Sequence, residues 1–361
     1  MNNEPIHQHL MSQTLDLAQK GRLSVSPNPM VGCLIVKNGE VIAEGYHQEA
    51  GGPHAEIAAL RKAGANAKNA TVYVNLEPCC HHGRTPPCTD ALINAGVKEV
   101  FIACLDPNPL VAGKSIKILA NAGIKTQVGL LESQAKKLNE IFFHYITERK
   151  PFVIAKWAMS FDGKTSVHSE DDKKISNSSS HQHAHGLREQ VDAILIGAST
   201  AIQDDPLLTV RLEGQTKHKQ PLRIVLAGRR QLPFHLKLFD SSLAGKTLIV
   251  TTDQADANWL KEATAKNINI FIAPQNAAGK IHLPALLQEL GKREITSVLV
   301  EGGKSVHESF FQENLVNRVH VYLAPTIIAA LNKKQILNNV THIELQGDHY
   351  FTADYRGNTY V

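Results

Sequence analysis

The chain lacks what several protein classes require. It has no apolar run long enough to cross a membrane. Its first residues, Met1-Asn2-Asn3-Glu4-Pro5, offer neither the charged segment nor the apolar stretch of a secretory signal. Its five cysteines (Cys33, Cys79, Cys80, Cys88 and Cys104) are odd in number and mostly clustered, which argues against a disulfide framework. A reducing cytoplasm is the expected setting. A large surplus of charge is also missing. The net charge of +4 over 361 residues suits small anionic ligands but falls short of the concentrated basic face of a nucleic-acid binder. Neither a membrane nor a nucleic acid is therefore an expected partner. What remains is a hydrophobic content of 43%, ordinary for a globular protein, in a chain long enough for two domains.

One stretch carries recognisable chemistry. It opens with Pro53-His54-Ala55-Glu56 and closes with Glu77-Pro78-Cys79-Cys80-His81-His82-Gly83-Arg84-Thr85-Pro86-Pro87-Cys88. A histidine with two cysteines is a borderline-soft donor set that suits zinc. Three protein ligands leave a fourth position for water, as catalytic zinc requires. Glu56 stands two residues after His54, where it can act on that water without binding the metal. This His-x-Glu…Pro-Cys order is the pattern of the zinc nucleobase deaminases. Pro53 and Pro78 suggest that both arms present their ligands from helix starts. A structural zinc knot is the competing reading, with Cys80, His81 or His82 as a fourth ligand. Glu56 and Pro78 complete the same pattern and favour catalysis.

Periodicity supplies the frame. Ile6 to Lys20 has the spacing of an amphipathic helix stopped by Gly21. Met30 to Val36 and Val41 to Tyr46 read as strands joined by the hairpin signal Lys37-Asn38-Gly39-Glu40. Strands follow at Thr71 to Leu76, Val97 to Leu105 and Ile124 to Val128, with helices before Gly96 and from Gly113 to Gly123. The charged Thr147-Glu148-Arg149-Lys150-Pro151 marks a boundary, giving domains 1–150 and 151–361. Beyond it, strands are predicted at Phe152 to Met159, Ala193 to Ile196, Leu222 to Leu226, Thr247 to Val250, Ile268 to Ile272, Val298 to Val300 and Val319 to Leu323. Alternating helices and strands predict a mostly parallel α/β sheet in each half.

The cysteine interval narrows the field. The deaminase pattern usually places two residues between its cysteines; here eight residues, 80–87, separate Cys79 from Cys88, if those are the pair. With that interval and the upstream Ser26-Pro27-Asn28-Pro29-Met30-Val31-Gly32-Cys33, the chain resembles the bifunctional deaminase-reductases of riboflavin biosynthesis. The resemblance implies a three-layer cytidine-deaminase-like domain followed by a dihydrofolate-reductase-like α/β domain. It implies a zinc ion held by His54, Cys79 and Cys88, with Glu56 as proton shuttle. It implies a phosphorylated pyrimidine substrate, and NADPH as the second cofactor. A homo-oligomer, dimer or tetramer, is also expected.

The same resemblance assigns further residues. In the deaminase half, Asn28 and His47 would contact the pyrimidine, and His81 and Arg84 the substrate and its phosphate. Arg84 suits a phosphate by its fork of donors. Turn chemistry alone accounts for Asn28, and a solvated loop for Arg84, if the resemblance is set aside. In the second half, Lys156, Asp172, Arg188, Leu208, Arg211 and Glu301 match substrate positions. Ala158, Lys174, Thr200, Asp204, Gly302 and Gly303 match cofactor positions. Val300-Glu301-Gly302-Gly303 ends a predicted strand before a helix from Lys304 to Phe311, where glycines let the backbone approach a phosphate. It is not the dinucleotide fingerprint of a Rossmann fold. For Arg188 and Arg211 the bland alternative is a surface salt bridge of little worth.

The chain departs from the family between Asp171 and His185. Lys174 stands where a tryptophan is common, and Asp172 where a serine is. His181, His183 and His185 follow; their spacing spreads side chains around a helix, so a solvated face is expected rather than a metal site. These departures sustain a second reading, a deaminase whose second domain binds nucleotide but is catalytically impaired or regulatory. A nucleic-acid-editing deaminase fits less well, because the short cysteine interval and a basic or aromatic face are both missing.

Overall fold

The Lys37 to Glu40 hairpin shows how local sequence becomes structure. Asn38 and Gly39 take positive φ of 54° and 84°, the two-residue turn that matches the twist of paired strands. The computed structural model describes residues 4–81, 86–160, 163, 165, 175–214, 218–243, 245–324 and 338–354. It divides into two units, Met1–Arg149 and Lys150–Val361.

In the first unit the elements run α1 (Glu4–Gln19), β1 (Gly32–Lys37), β2 (Glu40–Tyr46), α2 (Ala55–Ala63), β3 (Thr71–Leu76), α3 (Cys88–Asn94), β4 (Glu99–Cys104), α4 (Lys114–Asn121), β5 (Lys125–Val128), α5 (Glu132–Leu138) and α6 (Glu140–Glu148). The sheet order is β2-β1-β3-β4-β5. The hairpin strand β1 pairs antiparallel with β2 and β3; β3, β4 and β5 are parallel. Successive side chains of a strand face opposite ways, and here both faces are covered. Cys33, Ile35, Val72, Val74, Val100 and Ile102 pack under Ala55 and Ala59 of α2, Leu92 of α3 and Leu119 of α4. Leu34, Val36, Tyr73, Phe101 and Ala103 pack under Leu10, Met11 and Leu15 of α1 and Ala135 of α5. Three layers result. A close approach sets α2: a Cβ at Gly45 would lie 2.4 Å from the Ala55 carbonyl and from the Ala59 nitrogen. Only glycine lets the helix start, and His54 with it, rest on β2.

In the second unit the elements are β6 (Phe152–Ser160), α7 (Ser178–Gln190), β7 (Ala193–Gly197), α8 (Ala198–Asp204), β8 (Leu222–Gly228), β9 (Thr247–Thr251), α9 (Ala257–Ala265), β10 (Asn269–Ile272), α10 (Leu283–Lys292), β11 (Ser297–Val300), α11 (Lys304–Gln312), β12 (Arg318–Ala324), β13 (Asn338–Leu345) and β14 (Asp348–Asp354). The sheet order is β10-β9-β8-β7-β11-β6-β12-β14-β13. All neighbours are parallel except the last two pairings, where the β13–β14 hairpin adds antiparallel strands. Val153, Ala155, Leu195, Ile224, Val250, Val298 and Val300 face one core, closed by Leu286, Leu287 and Leu290 of α10 and Phe310 of α11. Lys156, next to Ala155 on β6, therefore points to the opposite face.

Candidate functional site

Three short segments of the first unit converge. His54 caps the start of α2 with extended backbone. Cys88 is the first residue of α3, after Pro87. Cys79 follows β3 through Glu77-Pro78 in irregular chain. The second helix start is thus at Pro87-Cys88, not at Pro78 as the prolines suggested. His54 Nδ1 lies 3.5 Å from Cys79 Sγ and 3.3 Å from Cys88 Sγ. These are the only ligand atoms among the described residues that form a metal-sized group of three or more. Tetrahedral zinc, with bonds of about 2.3 Å to sulfur and 2.0 Å to nitrogen, needs nitrogen and sulfur about 3.5 Å apart. The donor set and its spacing fit that ion.

The electrostatics match. Cys79 is pulled down to about 4, chiefly by a hydrogen bond from the Cys88 thiol, while the same bond and burial push Cys88 up. His54 is raised, first through its hydrogen bond with Cys79. Glu56, in the first turn of α2, is 3% exposed, and burial followed by the Cys79 charge pushes it up to about 7. A carboxyl poised near neutrality both accepts and donates protons well.

Around this cluster stand residues expected to read a substrate. Asn28 Nδ2 lies 2.9 Å from His47 Nε2, and His47 Nδ1 lies 3.0 Å from the Pro53 carbonyl. The second contact needs a proton on Nδ1, so Nε2 accepts from the Asn28 amide. Burial lowers the His47 pKa and keeps the ring neutral. Its edge meets the His54 ring at a centroid distance of 5.5 Å. His81 Nδ1 is buried without a hydrogen-bond partner among the described residues. Arg84 lies outside those residues.

Sequence reasoning passed over three polar residues here. Glu77 accepts from the backbone nitrogens of Asp106, Gly113 and Ser115 and from the Ser115 hydroxyl, so it fastens the loop after β4 beside the Cys79 turn. Asn75 and Asn139 are buried and bind the backbone around Met30. Asn75 had a signal, being a polar residue inside the apolar strand Val72-Tyr73-Val74-Asn75-Leu76. Asn139 had none.

The second unit gathers charge on the Lys156 face of its sheet. Arg188, near the end of α7, donates from Nε and Nη2 to the two carboxylate oxygens of Glu301 at 2.8 and 2.9 Å. Its Nη1 donates to the Thr209 carbonyl at 3.3 Å. Lys156 Nζ stands 3.7 Å from Glu301 and 5.3 Å above the Tyr322 ring. Burial would raise the Glu301 pKa, but Arg188 and Lys156 outweigh it and hold the carboxyl well below the usual range. The Glu301 and Arg188 side chains are 8% and 15% exposed, so the bland reading of a surface pair is wrong for Arg188. The histidine run also differs from expectation. His183 Nδ1 lies 2.8 Å from the Tyr322 hydroxyl, its ring 4.4 Å from Tyr350, and His185 Nδ1 accepts from the Arg211 nitrogen. Two sides of α7 are covered, one by the sheet and one by the chain near Arg211, so the spread of the histidines is used rather than solvated.

The remaining positions divide. Ala158 packs beside Tyr322 and Tyr350. Leu208 is buried and has a φ of 50°, a strained region for leucine. Thr200 on α8 meets Gly303, where an added Cβ would lie 3.4 Å from Thr200 Oγ1. Gly302 is needed for packing as well, since its Cβ would lie 2.7 Å from that of Val306. Arg211 and Asp204 are exposed. Asp172 and Lys174 lie outside the described residues. Not foreseen was His307 on α11. Its ring lies edge-on to Trp157 and is buried against the Gly302 backbone, and burial pushes it down to about 4.

Comparison with known proteins adds to this geometry. Residues 4–104 match the family described as the cytidine and deoxycytidylate deaminase zinc-binding region. Residues 151–350 match the RibD C-terminal domain. The chain is 42% identical over 323 residues to the riboflavin biosynthesis protein RibD of Aquifex aeolicus, covering 90% of this chain and 88% of that one. The chain belongs to the RibD family. RibD of Escherichia coli is 40% identical, with 90% and 89% of the two chains covered. Among solved structures, Acinetobacter baumannii RibD superposes with a TM-score of 0.85 at 36% identity, over 98% of this chain and 100% of that one. A Thermotoga maritima protein, named as a diaminohydroxyphosphoribosylaminopyrimidine deaminase/5-amino-6-(5-phosphoribosylamino)uracil reductase, gives 0.82 at 31% identity, over 98% and 99%. The RibD architecture is the two-domain α/β arrangement described above, deaminase-like first and reductase-like second.

Proposed function

We propose that this RibD-family chain is a bifunctional enzyme of riboflavin biosynthesis. Residues 1–150 would remove the 2-amino group of 2,5-diamino-6-(5-phosphoribosylamino)pyrimidin-4-one by hydrolysis. Residues 151–361 would then reduce the ribosyl group of that product to ribityl with NADPH. The observation that carries the reading is the His54, Cys79 and Cys88 cluster at zinc spacing beside a buried Glu56.

In the deaminase half, His54, Cys79 and Cys88 would hold zinc, which when bound would supply a water of lowered pKa. Glu56 would carry one proton of that water to the ring nitrogen and then a second, from the hydroxyl that has added to C2, to the amine, which leaves as ammonia. Its burial in the first turn of α2, two residues from His54, supports both transfers. Asn28 and His47 orient the pyrimidine, and His81 and Arg84 meet the substrate and its phosphate. In the reductase half, bound NADPH would supply a hydride to C1′ of the ring-opened sugar. Thr200, Asp204, Gly302 and Gly303 hold the cofactor together with Ala158 and Lys174. Glu301 binds the sugar, and Lys156, paired with it, is a source for the proton that accompanies the hydride. Arg188, Leu208, Arg211 and Asp172 complete the substrate site. Among the described residues, three of the five N–H groups of Arg188 go to Glu301 and Thr209, leaving two for a phosphate.

Metal analysis joined to two assays tests the reading. About one zinc per chain, ammonia released from the pyrimidine and NADPH consumed on the deaminated product are expected. Ammonia release without NADPH binding would favour the impaired second domain; no ammonia from a zinc-loaded chain would overturn the proposal.

A further inference from the structure

Four hydrogen bonds converge on a stretch of backbone just after Asn28. Met30 N donates to Asn139 Oδ1 at 2.8 Å, and Asn139 Nδ2 donates back to the Met30 carbonyl at 2.9 Å. Asn75 Nδ2 donates to that same carbonyl at 3.0 Å, and Asn75 Oδ1 accepts from Gly32 N at 2.8 Å. Asn75 is 0% exposed and Asn139 2%. Asn75 comes from the sheet, and Asn139 from the junction of α5 and α6, 109 residues away from Met30.

Met30 precedes β1, so no ladder partner satisfies its backbone groups. The Asn75 bond to Gly32 lies at the first residue of β1. Among the described residues, both side-chain bonds of Asn139 go to Met30, two residues beyond Asn28. Asn28 in turn holds His47, whose main chain donates to the Val31 carbonyl and whose ring reaches Pro53 beside the metal ligand His54. One N–H of the Asn28 amide goes to His47, and its Oδ1 can accept from a ring N–H or amino group of a pyrimidine.

We infer that Asn75 and Asn139 are positioning residues for substrate recognition: together they clamp Met30 and so fix the Asn28–His47 pair against the metal arm. Neither touches the metal cluster or the reacting atoms. The inference rests on the deaminase reading above.

A double-mutant cycle in the full chain, read by ammonia release, tests the clamp. Asn139→Ala is expected to raise KM for the pyrimidine roughly tenfold while kcat stays within about threefold, the pattern of lost uniform binding. Zinc content is expected to be unchanged. In an Asn28→Ala background the same substitution is expected to raise KM less than about twofold, because its effect passes through Asn28. Asn139→Ser fills part of the volume and loses the paired bonds to Met30; it is expected to raise KM as the alanine variant does, and it carries the cycle if the alanine variant does not fold. Equal KM penalties in both backgrounds, or loss of zinc from Asn139→Ser, overturn the clamp. A zinc-loaded unmodified chain that releases no ammonia overturns the deaminase reading and the clamp with it, whereas an active chain with additive penalties overturns the clamp alone.

Discussion

Glu301→Gln is the perturbation with the largest physical lever in the second unit. The substitution keeps the shape of the side chain and removes its charge. Arg188 then loses the bidentate partner at 2.8 and 2.9 Å, and Lys156 loses its counter-ion at 3.7 Å. Both partners of the main pair are mostly buried, so solvent screens little of the loss. Removing one member of a buried ion pair typically costs about 3–5 kcal/mol. The amide still accepts a hydrogen bond, which places the expected loss near the lower end, about 3 kcal/mol. The wild-type carboxyl is held below the usual carboxylate range. It therefore contributes stability that is fully present above its unfolded pKa of about 4.3 and is lost as the pH falls toward the folded value. The variant should lack that acid limb. Both tryptophans of the chain, Trp157 and Trp259, lie in the second unit, so denaturant unfolding followed by tryptophan fluorescence reports on that unit. A loss under about 1 kcal/mol with an unchanged acid limb would refute the reasoning.

Other outcomes follow from single contacts. Alanine at His54, Cys79 or Cys88 should empty the metal site while Cys80→Ala keeps it, as elemental analysis of purified chains would show; zinc lost from Cys80→Ala but kept by Cys88→Ala would mean the ligand set is wrong. Gly302→Ala should lower the melting temperature and weaken NADPH binding, with strain of about 1–3 kcal/mol, because its Cβ would meet Val306 at 2.7 Å. Val306→Ala in the same chain should restore much of both, and a Gly302→Ala chain of unchanged melting temperature would count against the close packing. Glu77→Ala should free the Asp106 to Ser115 loop, seen as faster amide exchange there than in α1, and equal exchange would remove Glu77 as its anchor.

How far the sequence could be read depended on the range of each interaction. Strand Thr71–Leu76 was legible because β-branched residues bounded by turns mark a buried strand. The metal ligands were legible because coordination chemistry demands particular residue types at short, fixed intervals. Helices α5 and α6 escaped notice; each is short, and Asn139 interrupts the pattern between them. The β13–β14 hairpin was missed as well, since an edge ribbon with polar and apolar residues intermixed shows no apolar run. The Arg188–Glu301 pair spans 113 residues and the Met30–Asn139 contact 109, so nothing local announces either. The histidine run misled because helical spacing shows which way side chains spread and not what covers them.

The central claim is that two chemistries reside in separate halves, and Glu56→Gln tests it most directly. The variant keeps the side-chain shape and loses the basic carboxylate. Zinc should remain bound while ammonia release falls about 10²–10⁴-fold from the loss of general acid–base catalysis. The same chain should still consume NADPH when given the already deaminated pyrimidine, because Lys156, Arg188 and Glu301 belong to the other unit. A Glu56→Gln chain that holds zinc and deaminates at the wild-type rate, or one that folds yet cannot reduce the deaminated substrate, would contradict the account.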